Sequence, residues 1–233
     1  MIDLAGRAVP LILRRHARAR RIGLRIDPRR DALVLTLPPR TAERTGLAFL
    51  QEQAGWALAQ LDALPPKVPF AAGALTPFRG VEHLIRHDAA ARGRGAVRVE
   101  AGPDGAPTLA VAGAAEHLPR RVADFMKREA RAAIRPLVAE KAAALGVRAG
   151  RIVLRDQSTR WGSCTAAGDL NFSWRLIYCP PEILDYVVAH EVAHLRHMNH
   201  SPAFWATVAQ IAPAPRDSRA WLRAHGQRLH RIG

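Results

Sequence analysis

The chain has 233 residues, 48% of them hydrophobic and 24% charged, with a formal net charge of +15. That is enough apolar material for one large domain or two small ones with a sizeable core, and the balance excludes a disordered or low-complexity chain. No apolar run approaches the roughly 18 residues of a membrane-spanning helix, so no membrane partner is expected.

The early apolar run Val9-Pro-Leu-Ile-Leu13 is interrupted by Pro10 and followed, not preceded, by arginines. This is the wrong order for a secretory leader, so a cytoplasmic location is expected. Cys164 and Cys179 then read as free thiols of a reducing compartment. The positive charge is almost wholly arginine, since Lys67, Lys127 and Lys141 are the only lysines. A charge of this size suits nucleic acid or nucleotide as a partner, but an arginine-rich composition with solvated charges is the preferred reading, because clustering is a better criterion than total charge. The cluster that exists is Arg14, Arg15, Arg18, Arg20, Arg21 and Arg25, part of which alternates with apolar residues as on the open face of a strand.

Residues 22–26 and 32–37 read as strands joined across the turn-rich Asp27-Pro-Arg-Arg-Asp31. Residues 42–64 place Leu47, Leu50, Ala54, Leu58 and Leu61 at helical spacing, which predicts one amphipathic helix with Trp56 beside its stripe. After a break at residues 65–69, short strands are expected at 81–85, 96–99 and 108–111, the last two joined by a turn at Gly102-Pro-Asp-Gly105. His83 and His87 stand four apart, but the period there is that of a strand and they read as ordinary surface residues. Residues 118–145 return to a helical period, with Val122, Phe125, Met126, Glu129, Ala133, Leu137 and Leu145 as a stripe, Pro136 as an expected kink or split and Gly146 as the stop. Strands follow at 152–155 and 169–174, with 158–164 as a loop between them. Pro180-Pro-Glu182 opens the next helix.

That helix carries Val188-Ala-His-Glu-Val-Ala-His-Leu-Arg-His-Met-Asn-His200, with four of the ten histidines of the chain. His190 and His194 lie one turn apart on one face, so two imidazoles can converge on one ion, while Glu191 beside them can take a proton from water. This H-E-x-x-H pattern reads as zinc with a glutamate general base. Two protein ligands are too few for a catalytic zinc. On an unbroken helix His200 would lie about 240° round from His194 and could not help. The helix must therefore stop, with Asn199 as a residue that tolerates a left-handed C′ position and Ser201-Pro202 as N-cap and first residue of the following helix. His200 then sits in the junction and is preferred as third ligand over His197, which on a continuing helix points about 60° away. The spacing is also that of metzincins, but His197 stands where they carry glycine and no methionine follows Met198.

Arg160-Trp-Gly-Ser-Cys164, Leu170-Asn-Phe-Ser-Trp-Arg-Leu176, Pro181 with Asp185-Tyr-Val-Val188, the zinc motif, Asn199-His-Ser-Pro-Ala-Phe-Trp205 and the tail Trp221-Leu-Arg-Ala-His-Gly226 together resemble the YgjP-like zinc metallopeptidases, relatives of the SprT-like and WLM proteases in the zincin superfamily. The resemblance is strong over residues 118–230 and weaker before them. It implies an α+β chain: a β-rich portion with one long helix over 1–115, then a zincin-like catalytic domain over 116–233, with a backing helix, a small sheet, the metal helix and His200 as third ligand. A protein or peptide substrate is implied, with Glu191 as the base.

Residues 170–174 are the expected edge strand for an extended substrate. Arg160, Asn171 and Tyr178 are candidate oxyanion or substrate contacts. Cys164 is read as packing beneath the metal helix in preference to ligating the ion, and Phe204 and Trp205 as core under the site. Two other functions compete with the peptidase: a metal-dependent nucleotide phosphohydrolase with arginines on the phosphates, and a nucleic-acid-binding module or a nucleic-acid-associated protease of SprT-like type.

Overall fold

The structure, a computed structural model, describes residues 1–89, 96–102, 104–212 and 214–233. They fall into two compact units, Met1–Lys67 and Val68–Gly233.

The first unit opens with an antiparallel pair, β1 (Ile2–Leu4) and β2 (Arg7–Val9). A three-stranded sheet follows, formed by β3 (Leu11–Arg15), β4 (Gly23–Asp27) and β5 (Ala32–Leu37), with β5 in the centre, parallel to β3 and antiparallel to β4. Being central, β5 is buried along almost its whole length, which is why Ala-Leu-Val-Leu-Thr-Leu shows little alternation. The long helix expected over residues 42–64 is two helices, α1 (Glu43–Glu52) and α2 (Ala54–Asp62), broken at Gln53. Helix α1 lies so close to β5 that a Cβ on Gly46 would come within 2.5 Å of Leu37. Leu33, Leu35, Leu37, Leu50 and Leu61 make the core.

Two arginines of the basic cluster are spent on this unit's own backbone and side chains: Arg14 donates to Thr36, and Arg15 to the carbonyls of Pro38, Pro39 and Thr41. Burial lowers the pKa of Arg25, with Arg14 as a further cause. The other three, Arg18, Arg20 and Arg21, are exposed.

The second unit begins with β6 (Leu75–Phe78), β7 (Val81–Asp88), β8 (Val97–Ala101) and β9 (Pro107–Ala112), in the spatial order β6-β7-β9-β8, with β7 and β9 parallel. The turn expected at residues 102–105 closes with Gly105 donating to the Gly102 carbonyl, although Pro103 lies outside the described residues. His83 is buried, not a surface residue, and its Nδ1 bonds the Val81 carbonyl; His87 bonds the Gly113 carbonyl.

Helix α3 (Leu118–Ala144) runs unbroken through Pro136. Its buried face is Val122, Phe125, Met126, Ala130, Ile134 and Val138, so the true stripe passes one position away from the Ala133 and Leu137 expected from sequence. Gly146 adopts φ +62°, and Val147 N–H reaches back to the Ala142 carbonyl, a Schellman ending. The boundary expected near residue 115 falls inside this unit, because Phe78, Ile85, Leu109 and Val111 of the four-stranded sheet share one core with α3.

A second three-stranded sheet follows: β10 (Ile152–Arg155), β11 (Gly162–Cys164) and β12 (Leu170–Ser173) in the order β10-β12-β11. Part of the expected 158–164 loop is thus a strand, and β12 is the centre of its sheet, not an edge. A 3₁₀ turn over Trp174–Tyr178 leads into α4 (Pro181–Ala193), followed by α5 (Pro202–Ile211) and α6 (Pro215–Leu229). Among the described residues no helix is long and apolar enough to cross a membrane.

Candidate metal centre

Helix α4 is apolar on nearly every side, with Ile183, Leu184, Val187, Val188 and Val192 buried, as suits a helix packed between α3, α5, α6 and the β11 strand. It is pinned by an ion pair under its first half. Lys141 of α3, 4% exposed, donates to Asp185 at 2.7 Å and to the Ile211 carbonyl at the end of α5 at 2.8 Å. One ammonium thereby fixes three helices, two of which border the histidines.

The helix ends where the spacing argument requires. His194 is the C-cap, and the following N–H groups of Arg196 and His197 turn back onto the Ala193 carbonyl. The stop lies at His194 itself and not at Asn199, so the tolerance of asparagine for a left-handed conformation plays no part. Ser201 then caps α5, its hydroxyl accepting from Phe204 N–H at 3.3 Å with Pro202 as first helical residue. Between the two helices the chain carries His200 back over the last turn of α4.

His190, His194 and His200 therefore converge: their nearest ring nitrogens all lie within 4.8 Å of one another, and His190 Nε2 is 3.1 Å from His200 Nε2. His194 Nδ1 bonds the His197 carbonyl at 2.9 Å, which leaves Nε2 with its lone pair free. His197 is thus used through its backbone. Phe204, fully buried, forms the floor, with ring centroids 4.9, 4.5 and 4.8 Å from the three imidazoles; Trp205 packs beside it. Burial pushes His190 down to about 4, helped by the neighbouring His194 and His200, and lowers His194 as well. Both are held neutral, the form that ligates metal.

Glu191 lies against Gly162 of β11 and lines the same cavity as the three histidines. It is 5% exposed, and burial raises its carboxyl to about 7, opposed by Arg160. Its side chain is so near Gly162 that a Cβ there would come within 2.5 Å of the carboxyl oxygen Oε1. Only glycine in β11 lets the carboxylate lie there. The bonds from Ser173 N–H to the Trp161 carbonyl and from Thr165 N–H to the Asp169 carbonyl show which groups of this segment face β12. By antiparallel alternation, the N–H and C=O groups of Gly162 and Cys164 face outward, along a free edge. A cavity of about 260 Å³ under that edge is lined by Gly162, Cys164, Glu191, Met198 and the three histidines.

Cys164 lines this cavity and also packs on the hydrophobic core, and burial raises its thiol pKa, with Glu191 as the next cause. Of the other contacts predicted from sequence, Arg160 borders the Glu191 side of the site. Asn171 accepts from Arg155 at 2.9 Å and lines a neighbouring hollow instead. Tyr178 is 1% exposed in the core, edge-on to Trp174, and lines neither cavity at the site, so a substrate cannot touch it. Spacing did not single out Tyr186, Arg219, Leu222 and Arg223, which line the space beside Glu191. Tyr186 could have been found from its place one turn before His190. The other three come from α6, whose tail motif carries the family resemblance but no spacing that points to the site.

Residues 20–225 match the YgjP-like metallopeptidase domain. None of the curated proteins compared with the chain matches it. Among solved structures, the metallopeptidase zymogen abylysin of Pyrococcus abyssi is similar with a TM-score of 0.36 at 20% identity, over 40% of this chain and 93% of its own. The zymogen jannalysin of Methanocaldococcus jannaschii gives a TM-score of 0.35 at 17% identity, over 40% of this chain and 95% of its own. A family match that runs through the β11 edge, both α4 histidines, Glu191 and the His200 junction covers most of the sequence, and the chain belongs to the YgjP-like metallopeptidase family.

Proposed function

We propose that the chain is a zinc-dependent metallopeptidase in which His190, His194 and His200 hold the ion and Glu191 is the general base. The observation that carries this reading is the convergence of three imidazoles, two of them held neutral, beside a buried carboxylate under a free strand edge. Zinc–nitrogen bonds of about 2.0–2.1 Å in a tetrahedral site put neighbouring ligand nitrogens roughly 3.3 Å apart. The 3.1 Å between His190 and His200 is of that size, and the third imidazole lies within 4.8 Å of both, so the donor set suits the ion once His194 draws in. Three imidazole ligands with no cysteine among them are the donor set of a catalytic zinc, in which a fourth position stays open. Zinc bound there would supply Lewis acidity that polarises a carbonyl and acidifies a water.

The residues of the chain do the remaining work. Gly162 and Cys164 pair with an extended peptide through their outward N–H and C=O groups, which lays the scissile bond over the histidines. Glu191 accepts a proton from the attacking water and returns it to the departing amine. Arg160 is the nearest of the candidate contacts to the developing charge. Phe204 keeps the imidazoles fixed and the floor dry.

The experiment is cleavage of an unstructured protein by metal-loaded enzyme. Glu191→Gln is expected to lower the rate by about 10²- to 10⁴-fold while zinc content stays at one per chain. His200→Ala is expected to lose the zinc itself. Unchanged cleavage in Glu191→Gln, or a wild-type protein that takes up no zinc, would overturn the reading.

A further inference from the structure

A second cavity, of about 340 Å³, opens on the far side of Glu191 and shares Gly162, His190 and Glu191 with the space over the histidines. Three arginines line it. Arg160 precedes the β11 edge, and Arg219 and Arg223 stand four apart on one face of α6. Among the described residues none of the three forms an ion pair with a carboxylate, whereas Arg79, Arg86, Arg151, Arg175 and Arg228 of this unit do. Arg219 instead lays its guanidinium over the Trp205 ring, 4.7 Å from its centroid. The remaining walls are apolar, chiefly Trp161 and Leu222, and Trp161 is fixed by stacking on His230 at 4.5 Å and by close approach to Gly226. Cations over low-dielectric walls act on a nearby charge more strongly than the same cations in water. The volume accommodates a side chain of several heavy atoms with some waters, at about 30 Å³ for each water.

We infer that this cavity is a specificity pocket that takes the carboxylate of an acidic residue in the peptide substrate, on the C-terminal side of the cleaved bond. The inference rests on the peptidase reading. Its direction follows from the strand. Of these two cavities, Cys164 borders the histidine one alone and Gly162 borders both. A peptide paired antiparallel to β11, the slightly more stable arrangement, passes Cys164 first, then Gly162, then Arg160. The residue that follows the scissile bond therefore drops its side chain between Arg160, Arg219 and Arg223. The free edge favours an extended peptide over a nucleotide as the source of the anion, since a nucleotide has no use for outward-facing strand groups.

The test uses matched quenched peptides that differ only at the residue after the cleaved bond, with Glu, Gln or Lys, and the full-length zinc-loaded protein. Glu is expected to exceed Gln by about tenfold in kcat/KM, and Gln to exceed Lys, the size of two or three partly exposed charge contacts. The margin is expected to shrink as salt rises. In Arg219→Glu/Arg223→Glu the order is expected to reverse in favour of Lys, which a merely structural role for the two arginines would not produce. Cleavage of all three peptides at equal rates overturns the pocket and leaves the peptidase standing. Cleavage of none overturns the peptidase; binding of the same peptides to Glu191→Gln, followed by fluorescence anisotropy, then decides the pocket, with equal affinities counting against it. Release of phosphate or pyrophosphate from nucleoside triphosphates that depends on Arg219 and Arg223 assigns the cavity to phosphate and overturns it too.

Discussion

At the scale of single residues the site depends on an atom that is missing. Gly162 has no Cβ, and the Glu191 carboxyl occupies the space one would need. Gly162→Ala is expected to force the carboxylate aside by an ångström or more and to lower the cleavage rate about 10²-fold, the usual cost of such a misplacement. Zinc content is expected to stay unchanged, because the atoms nearest that position belong to Glu191 and not to a histidine. Kinetics with metal analysis on the same preparation checks both halves, and a variant of normal rate would remove Glu191 from its assigned place. The tautomer of His194 is set the same way, by an adjoining group: the His197 carbonyl takes Nδ1, so the Nε2 lone pair faces the other two rings.

Among elements, α4 is the one that must not move, and its anchor is buried charge. Lys141 is nearly inaccessible and holds Asp185, while Asp185 Oδ2 has no partner of its own. Removing only the cation leaves a buried carboxylate uncompensated. Lys141→Met is therefore expected to lose about 3–5 kcal/mol of stability, and Lys141→Met/Asp185→Leu to recover most of it, as read from chemical denaturation. If the two variants are equally unstable, the pair is not what holds the helices. The turn between α4 and α5 is the other critical element. It is short, ends on a capping serine, and carries a ligand candidate directly before that serine, so order in the turn and order in the histidine cluster are the same property.

Across the whole molecule one small topology recurs three times. In β3–β5, β7–β9 and β10–β12 the third strand lies between the other two, parallel to the first and antiparallel to the second. Each set is followed by a helix, α1, α3 or α4. Only the last set carries H-E-x-x-H on its helix and a glycine at its edge, which confines the chemistry to one end of the second unit. Because the ion would join α4 to the α4–α5 junction, zinc is expected to stabilise that unit by mass action, about 2.7 kcal/mol at a concentration a hundred times Kd. Calorimetry with and without a chelator checks this; a midpoint indifferent to zinc would mean that the histidines do not hold it.

The sequence by itself determined the parts of this protein that rest on local geometry. The i, i+4 histidines, the acidic residue between them, and the Ser-Pro start of α5 all act within one or two turns of chain, and they brought His200 to the right side of the helix. The strand and helix periods at residues 32–37, 118–145 and 152–155 were legible for the same reason. Tertiary structure alone decided what depends on distant partners. Which strand is an edge is a matter of pairing order, so β12 was mistaken for one and β11 for a loop. Tyr178 was an exposed candidate until the core closed over it, and Arg219 and Arg223 reach the site only because α6 folds back beside α4. Residue spacing encodes rotation about a helix, but it carries no information about which surface a later helix will meet.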